Sequence, residues 1–565
     1  MNRRPVRALV AVAAALVVLV ASGCVGIPDA GPVREGSAVR EDVVGDFEYR
    51  PSGPVPGSTQ EQLVRDFVEA GTGSQDDYAV ARQFLSRSFA RTWDPRSGVT
   101  VRSGAGTTTR VDETRVDYTI SGVATIDAAG HYAQTPSPST TTLGFEFVRE
   151  GGEWRLSYAP DGIVLTTTNV DVVFRPHSLY FFDPTYTVLV PDERWFLARS
   201  STSTRIASAL LAGPSPWLQG AVASAFPEGT QLSLDAVTVV GGTARVDLTA
   251  EALSASAVDR ARMQAQLQAS FSSVAAVTTV ELTVRAGVLE VPDAAVVTAV
   301  RDPSVDPRPL VVEDGVLGFA SSSGLTAVPG LSEAVAGLAP SSAELRGDGT
   351  AAAVGSATGS WLVRQGADPL LVDDRPGLVA PALDDDGFVW SARAADPRSL
   401  VATGSDGVRH AVSARLPSDA RLVAFRVSRD GARAFALLDD GGAARLLVTS
   451  VLRDAQRVPT GLGDPLELAA PAGVPVDATW ADESGVAVLT TTGQGSEVTV
   501  LEIGGEPGAP SRPTGRATSV AGGAGTERLH LLTAEGDLSE PRGSGWQDTG
   551  LEADVLVGQR ARLEP

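Results

Sequence analysis

The sequence predicts a multidomain chain of α+β and all-β parts: an N-terminal cystatin-like α+β roll, an α/β sandwich and a C-terminal β-propeller of about six blades. Three observations predict it. The spacing of apolar residues changes from helical to alternating between residues 58 and 165, and helical signals fade beyond about residue 300. Gly315, Gly349, Gly387, Gly431, Gly485 and Gly525 then stand in turns between short strand-like runs, at spacings of 34, 38, 44, 54 and 40, the range of four-stranded propeller blades. Finally, 565 residues that are 43% hydrophobic suffice for several packed cores. The unevenness of the spacing leaves a two-sheet sandwich as the alternative for the last part.

The chain opens with Arg3, Arg4 and Arg7, followed by fourteen residues of Ala, Val and Leu at 8–21 and the small Ser22 and Gly23. A basic start, a short apolar run and small residues describe a signal peptide over 1–23. A membrane-spanning helix needs about 20 apolar residues, and the run falls short of that. Cys24 is the only cysteine, so no disulfide forms within the chain. Val20, Ala21, Ser22 and Gly23 ahead of Cys24 resemble the lipobox of bacterial lipoproteins, with Ala21 where that pattern usually has Leu. The resemblance implies cleavage before Cys24, an S-diacylglycerol and an N-acyl group on it, and attachment to the outer face of the plasma membrane. Residues 24–57 carry Pro28, Pro32, Pro51, Pro54 and Pro56 and read as a flexible tether stiffened by proline.

Residues 58–165 form the roll. Ser58 and Glu61 make a capping-box pattern before Leu63, Val64, Phe67 and Val68 on one helical face. A second helix is predicted over 77–89, with Tyr78, Ala81 and Leu85 inward. Strands follow at Val116–Ile120, Leu143–Phe147 and Trp154–Tyr158, where apolar residues alternate with polar ones. The second unit, 170–296, reads as helix, hairpin, helix, hairpin. Ser203 or Thr204 caps a helix that Gly213-Pro214 ends, strands at 232–240 and 243–248 meet at Gly241-Gly242, and Ser256 opens a helix with Met263, Leu267 and Phe271 on one stripe. A last hairpin turns at Ala286-Gly287. Within the propeller, 300–565, the segment 424–451 is the best-formed blade, three strands with two glycine-containing turns.

Composition excludes several chemistries. All 46 basic residues are arginine, so a P-loop, a Schiff-base lysine and a Ser-x-x-Lys site are ruled out. Without residues 1–23 the chain has 43 basic and 68 acidic residues, a net charge of −25, which repels nucleic acid. His131, His177, His410 and His530 lie far apart in sequence, and no G-x-S-x-G elbow occurs. Asp384-Asp385-Asp386-Gly387 superficially resembles a calcium loop, but Ala382 and Arg393 occupy positions that would need acids, so an acidic turn is expected. Asp247 is expected to fix a turn. Trp361, Trp390, Trp480 and Trp546 fall in separate blades, as core or as partner anchors. No catalytic, cofactor-binding or metal residue is predicted, and the protein is read as a non-enzyme.

The segment 208–232, SALLAGPSPWLQGAVASAFPEGTQL, followed by ARVDLT at 244–249 and QAQLQASFSSVAAVTTVELTVRAGVLEV at 264–291, closely resembles the GerMN domain named for spore-germination proteins. With the lipobox, CVGIPDAGPV after it, SLYFFDPTYTVLVPDERW at 178–195 and the order of parts, the whole chain resembles the LpqB family of actinobacterial lipoproteins. That resemblance implies a membrane-anchored accessory of the MtrA–MtrB two-component system. It would bind the extracytoplasmic domain of an MtrB-like sensor histidine kinase and tune signalling for cell-wall homeostasis and division. The alternative function is binding of a peptidoglycan fragment, with no kinase partner.

Overall fold

The computed structural model describes residues 51–198, 201–234, 236–292 and 297–562. The signal peptide, the lipobox Val20, Ala21, Ser22 and Gly23, Cys24 and the tether as far as residue 50 lie outside the described residues.

Helix α1, Gln60–Ala70, buries Leu63, Val64, Phe67 and Val68 as the periodicity requires. Its cap is Thr59, whose side chain accepts from the Gln62 amide, rather than Ser58. The helix predicted over 77–89 shrinks to α2, Ala79–Arg82. Asp76, Asp77 and Tyr78 take φ of 46°, 57° and 61°, a left-handed run that no helix continues. Arg82 then organises the loop beyond it by donating to Asp77 and to the carbonyls of Ala90 and Trp93. Five strands follow, β1 Gly98–Arg110, β2 Arg115–Asp127, β3 Tyr132–Glu150, β4 Glu153–Tyr158 and β5 Ile163–Thr166. They pair in the order β4-β3-β2-β1-β5, with only β5 parallel to its neighbour. Phe67 of α1 meets Trp93, Phe145 and Phe84 at ring distances of 5.2, 6.1 and 6.3 Å.

Helix α3, Thr167–Val173, leads into a hairpin of β6, Phe174–Phe182, and β7, Val188–Leu197. The turn between them is built on Asp183, whose carboxylate accepts the amides of Thr185, Thr187 and Val188. After α4, Thr202–Ala212, come β8 Thr238–Val240, β9 Thr243–Leu248, α5 Ala257–Ser270, β10 Thr279–Val284, β11 Gly287–Val288 and β12 Val300–Arg301. Two sheets result, β12-β7-β6 and β11-β10-β9-β8. Helix α5, capped by Ser256 as expected, buries Met263 and Leu267, and Phe271 just after it, completely. Four expectations are corrected here. Helix α4 begins after Ser201, so Ser203 is buried inside it, and Thr204 accepts the Val237 amide. The strand expected over 232–240 keeps only its last three residues, and Leu232 makes an isolated bridge to Leu248. The last strand, expected over 288–291, is only Gly287–Val288, and β9 and β10 pair in parallel, so the two hairpins share one sheet.

From Leu310 onward the described residues form sheets in succession, antiparallel but for one step in the first: one of eight strands, then sheets of four, five, three and four. The segment read as the best-formed blade holds strands Arg421–Val427, Arg433–Asp440 and Ala443–Arg453. Val555–Gln559 pairs antiparallel with Leu310–Glu313 and parallel with Ser342–Leu345, so the last described strand joins the first part of the ring to the next. Neighbouring sheets bury their cores against each other. Trp390, 1% exposed, packs on Phe425, and Trp480, 5% exposed, on Phe435, each pair at 5.6 Å. Trp361 and Trp546 are half-buried, with their indole N–H groups bonded to Ser356 and Ser511.

Candidate functional site

The sequence-predicted residues are dispersed. Cys24 and the lipobox lie outside the described residues. Asp247 fixes local structure as expected, accepting from Ser233, from Thr283 at 2.7 Å and from the Ala286 amide at 2.9 Å. Each carboxylate of 384–386 is taken up by arginine: Asp384 by Arg453 at 2.8 Å, Asp385 by Arg560, and Asp386 by Arg457 at 2.6 Å. The histidines have separate surroundings. His131 bonds Asp127, His177 bonds Ser273, His410 lies edge-on to Phe388 and His530 reaches the Pro307 carbonyl. Among the described residues no group of three His, Cys, Asp or Glu is placed to hold a metal ion. In the roll, Phe67, Trp93, Phe145 and Ile163 line a cavity of about 30 Å³.

What the fold does bring together is a junction of all three parts, which sequence reasoning missed. Gln134 on β3 of the roll clamps the propeller: its amide N–H donates to the Gly505 carbonyl at 2.5 Å, and its oxygen accepts the Ala469 amide at 2.8 Å. Beside it, Tyr132 stacks on Trp195 of β7 with centroids 5.1 Å apart. The Trp195 backbone N–H donates to Gly130 of the roll, while its indole N–H donates to Gly504 of the propeller, at 2.8 and 2.7 Å. One tryptophan therefore touches three domains. Gly504 has φ +74°, and a Cβ there would stand 3.0 Å from that of Glu193, so only glycine lets the loop lie this close to β7.

The contact continues along the propeller turns. Leu218 and Val190 pack on Ala432. Arg429 pairs with Asp302 at 3.0 Å and donates to the Pro303 carbonyl, and Arg457 reaches Asp183 at 3.5 Å. Between these ties lies a set of carboxylates that pair with no arginine among the described residues. Glu193 of β7 accepts from Ser178 at 2.7 Å, Glu483 from the Tyr180 hydroxyl at 2.8 Å, and Glu502 from Ser484 at 3.2 Å. Burial, reinforced by the neighbouring Glu502, Asp192 and Glu483, raises the Glu193 carboxyl to about 7. Burial raises Glu483 and Glu502 as well. Oxygen Oε2 of Glu483 is buried with no hydrogen-bond partner among the described residues.

The residues carrying the family resemblance have structural duties nearby. Asp192 is fully buried with Arg194, 2.8 Å away, and accepts the backbone and hydroxyl of Ser215, the serine of Gly-Pro-Ser-Pro. Thr230 closes the Phe-Pro-Glu-Gly-Thr turn on the Pro227 carbonyl. Local sequence signals these turns through proline and glycine. Nothing local signals Gln134, Trp195 or Gly504, because the contacts that tie the propeller to Gln134 and Trp195 span more than 300 residues.

Comparison with known proteins gives matches along most of the chain. Residues 53–171 match the family model described as Lipoprotein LpqB, N-terminal domain; 178–285 match Sporulation and spore germination; and 315–554 match Lipoprotein LpqB beta-propeller domain. A relative named Lipoprotein LpqB from Streptomyces coelicolor is 30% identical over 97% of this chain and 97% of its own. Alignments to proteins of that name from Cutibacterium acnes, 28% identical, and Thermobifida fusca, 30% identical, cover 52% and 40% of this chain and span 49% and 39% of those relatives. Among solved structures, the first GerMN domain of the sporulation protein GerM from Bacillus subtilis is 20% identical, with a TM-score of 0.18. It covers 21% of this chain and 89% of that one. TolB from Acinetobacter baumannii is 13% identical with a TM-score of 0.31, covering 44% and 64%.

Proposed function

The chain belongs to the LpqB lipoprotein family, and from that premise we propose that it is a non-enzymatic lipoprotein that binds and modulates a sensor histidine kinase of the MtrB type. Residues 1–23 act as a cleaved signal peptide, and Cys24 carries the S-diacylglycerol and N-acyl groups that hold the protein to the outer face of the plasma membrane. The division into tether 24–57, roll 58–165, GerMN domain 170–296 and propeller 300–565 follows, supported by the matched segments. A reading of six blades draws support from the described residues, where the eight-stranded sheet has a parallel step at which it could divide into two fours.

The observation that carries this reading is the junction. Trp195 and Gln134 fasten three domains whose own interiors are filled by side chains, an arrangement suited to presenting a broad, fixed surface. The effect on a kinase is one of linkage: the lipoprotein shifts it only by binding one signalling state better. A coupling of about 1–3 kcal/mol changes the balance by about 5- to 150-fold. The alternative, a holder of peptidoglycan fragments, draws less support, since the cavity in the roll has about 30 Å³ and a small-molecule pocket takes about 300–1,000 Å³.

The test is co-purification from membranes of a tagged full-length chain and of forms lacking 170–296 or 300–565. Retention of a sensor kinase by the full chain and its loss on deletion is the expected result. A full chain that retains no kinase refutes the proposal, and retention of muropeptides in its place would favour the alternative.

A further inference from the structure

We propose that the junction between the GerMN domain and the propeller is a proton-operated latch, closed while Glu193, Glu483 and Glu502 are neutral and loosened when they ionise. These carboxyls sit on opposing sides of one interface, Glu193 on β7 and the other two on the propeller. Each has a hydroxyl donor, from Ser178, Tyr180 and Ser484 respectively, and none has an ion-paired arginine among the described residues. All three are half-buried, and a single hydroxyl bond does little to stabilise a carboxylate withdrawn from water, whereas a neutral carboxyl sits there at lower cost.

The charges facing Glu193 from each neighbouring element do not supply the missing cation. On its own strand Asp192 is paired with Arg194, and β6 offers only Ser178 and Tyr180. The turn 481–484 brings Glu483 and strand Gly495–Glu502 brings Glu502, both acidic, with Asp482 beside Glu502. Arg433, at the start of strand Arg433–Asp440, is committed to Asp430 at 2.5 Å and to the Glu483 carbonyl at 2.6 Å. In the linker, Arg301 lies over the Tyr180 ring and donates to Ser272, and Asp302 takes Arg429. Since among the described residues no three such groups converge on a metal position, the proton is the neutralising partner the geometry admits.

The direction follows from linkage. Glu193 titrates at about 7 in the closed junction against an ordinary 4.5. A raised acid contributes its full stabilisation of the closed form below 4.5, and loses it as pH rises through 7. Between pH 6 and pH 8 this one carboxyl alone favours opening about tenfold more. Glu483 and Glu502, also raised, act in the same sense.

The test uses the full chain with amide exchange corrected for the intrinsic pH dependence, reading segments 188–197 and 495–506 against 351–364 in a distant blade. The expected outcome is junction opening that rises about tenfold from pH 6 to 8 while the reference is unchanged. Glu193→Gln should flatten the rise, and Glu502→Gln should reduce it. Opening that changes less than twofold in the parent, or a full rise kept in both variants, overturns the latch.

Discussion

Replacing Arg433 with alanine should unseat two neighbouring turns of the propeller. Its side chain is 1% exposed and reaches the Asp430 carboxylate at 2.5 Å and the Glu483 carbonyl at 2.6 Å, with the Trp480 ring 5.4 Å away. Burial pushes the Asp430 carboxyl up, but the charge and hydrogen bonds of Arg433, with Ser428 and Ala432, bring it below its ordinary value. Asp430 is therefore a carboxylate that depends on this guanidinium. Removing one member of a buried pair costs about 3–5 kcal/mol, because the other charge stays buried unpaired. Losing the ring contact adds about 0.5–2 kcal/mol. With about 5 kcal/mol lost in all, and about 2–4 °C per kcal/mol for a domain of this size, thermal unfolding followed by calorimetry should shift down by about 10–20 °C. Combining Asp430→Asn with Arg433→Met should recover roughly half, since the orphaned charge is gone. The exposed pair Arg415–Asp464 serves as the control and should contribute nothing measurable on truncation. A loss under about 1 kcal/mol for Arg433→Ala, or a double variant no better than the single, would refute the assignment of a dependent buried charge. Because Asp430 is depressed, the pair stabilises above the ordinary carboxylate range and weakens as pH falls through the folded value.

Three further outcomes are expected. Cys24→Ser should leave the folded domains intact and shift the protein from the membrane fraction to the soluble one, read by fractionation and mass spectrometry of the modified residue; an unchanged membrane fraction would exclude the lipid anchor. Gly504→Ala places a Cβ at φ +74°, 3.0 Å from Glu193, and should cost about 1–3 kcal/mol, seen as raised exchange in 188–197 ahead of global unfolding. Removing residues 555–565 takes away the strand that bonds both Leu310–Glu313 and Ser342–Leu345, and should convert a cooperative propeller transition into a broad one at lower temperature.

Much of the fold is legible locally. The stripe of Leu63, Val64, Phe67 and Val68 gives α1, the Gly241-Gly242 pair gives a hairpin turn with φ of 57° and 84°, and the Ser256 cap gives α5. The signal fails where a local rule competes with a distant partner. The periodicity over 77–89 reads as helix, yet Arg82 bonds Asp77, Ala90 and Trp93, and Leu85 joins Leu156 in a bridge, which only the finished sheet makes available. The acidic run 384–386 is legible as a turn, but its arginines stand about 70 and 175 residues away. The junction had no sequence signature because Trp195, Gln134 and Gly504 each look ordinary until β3, β7 and the propeller loop are assembled.

The strand Val555–Gln559 has a consequence for how the molecule is made. Its partner Leu310–Glu313 lies more than 240 residues earlier, so ring closure is among the longest-range pairings in the chain and belongs to the slow class of folding events. A chain delivered from its N-terminus has every other sheet of the ring available before this one. The roll and the GerMN domain can complete their own cores first, while the propeller waits as an open arc with an unpaired edge. Until that strand arrives the edge is an aggregation hazard, so the closing strand times the maturation of the domain to the arrival of residues 555–559.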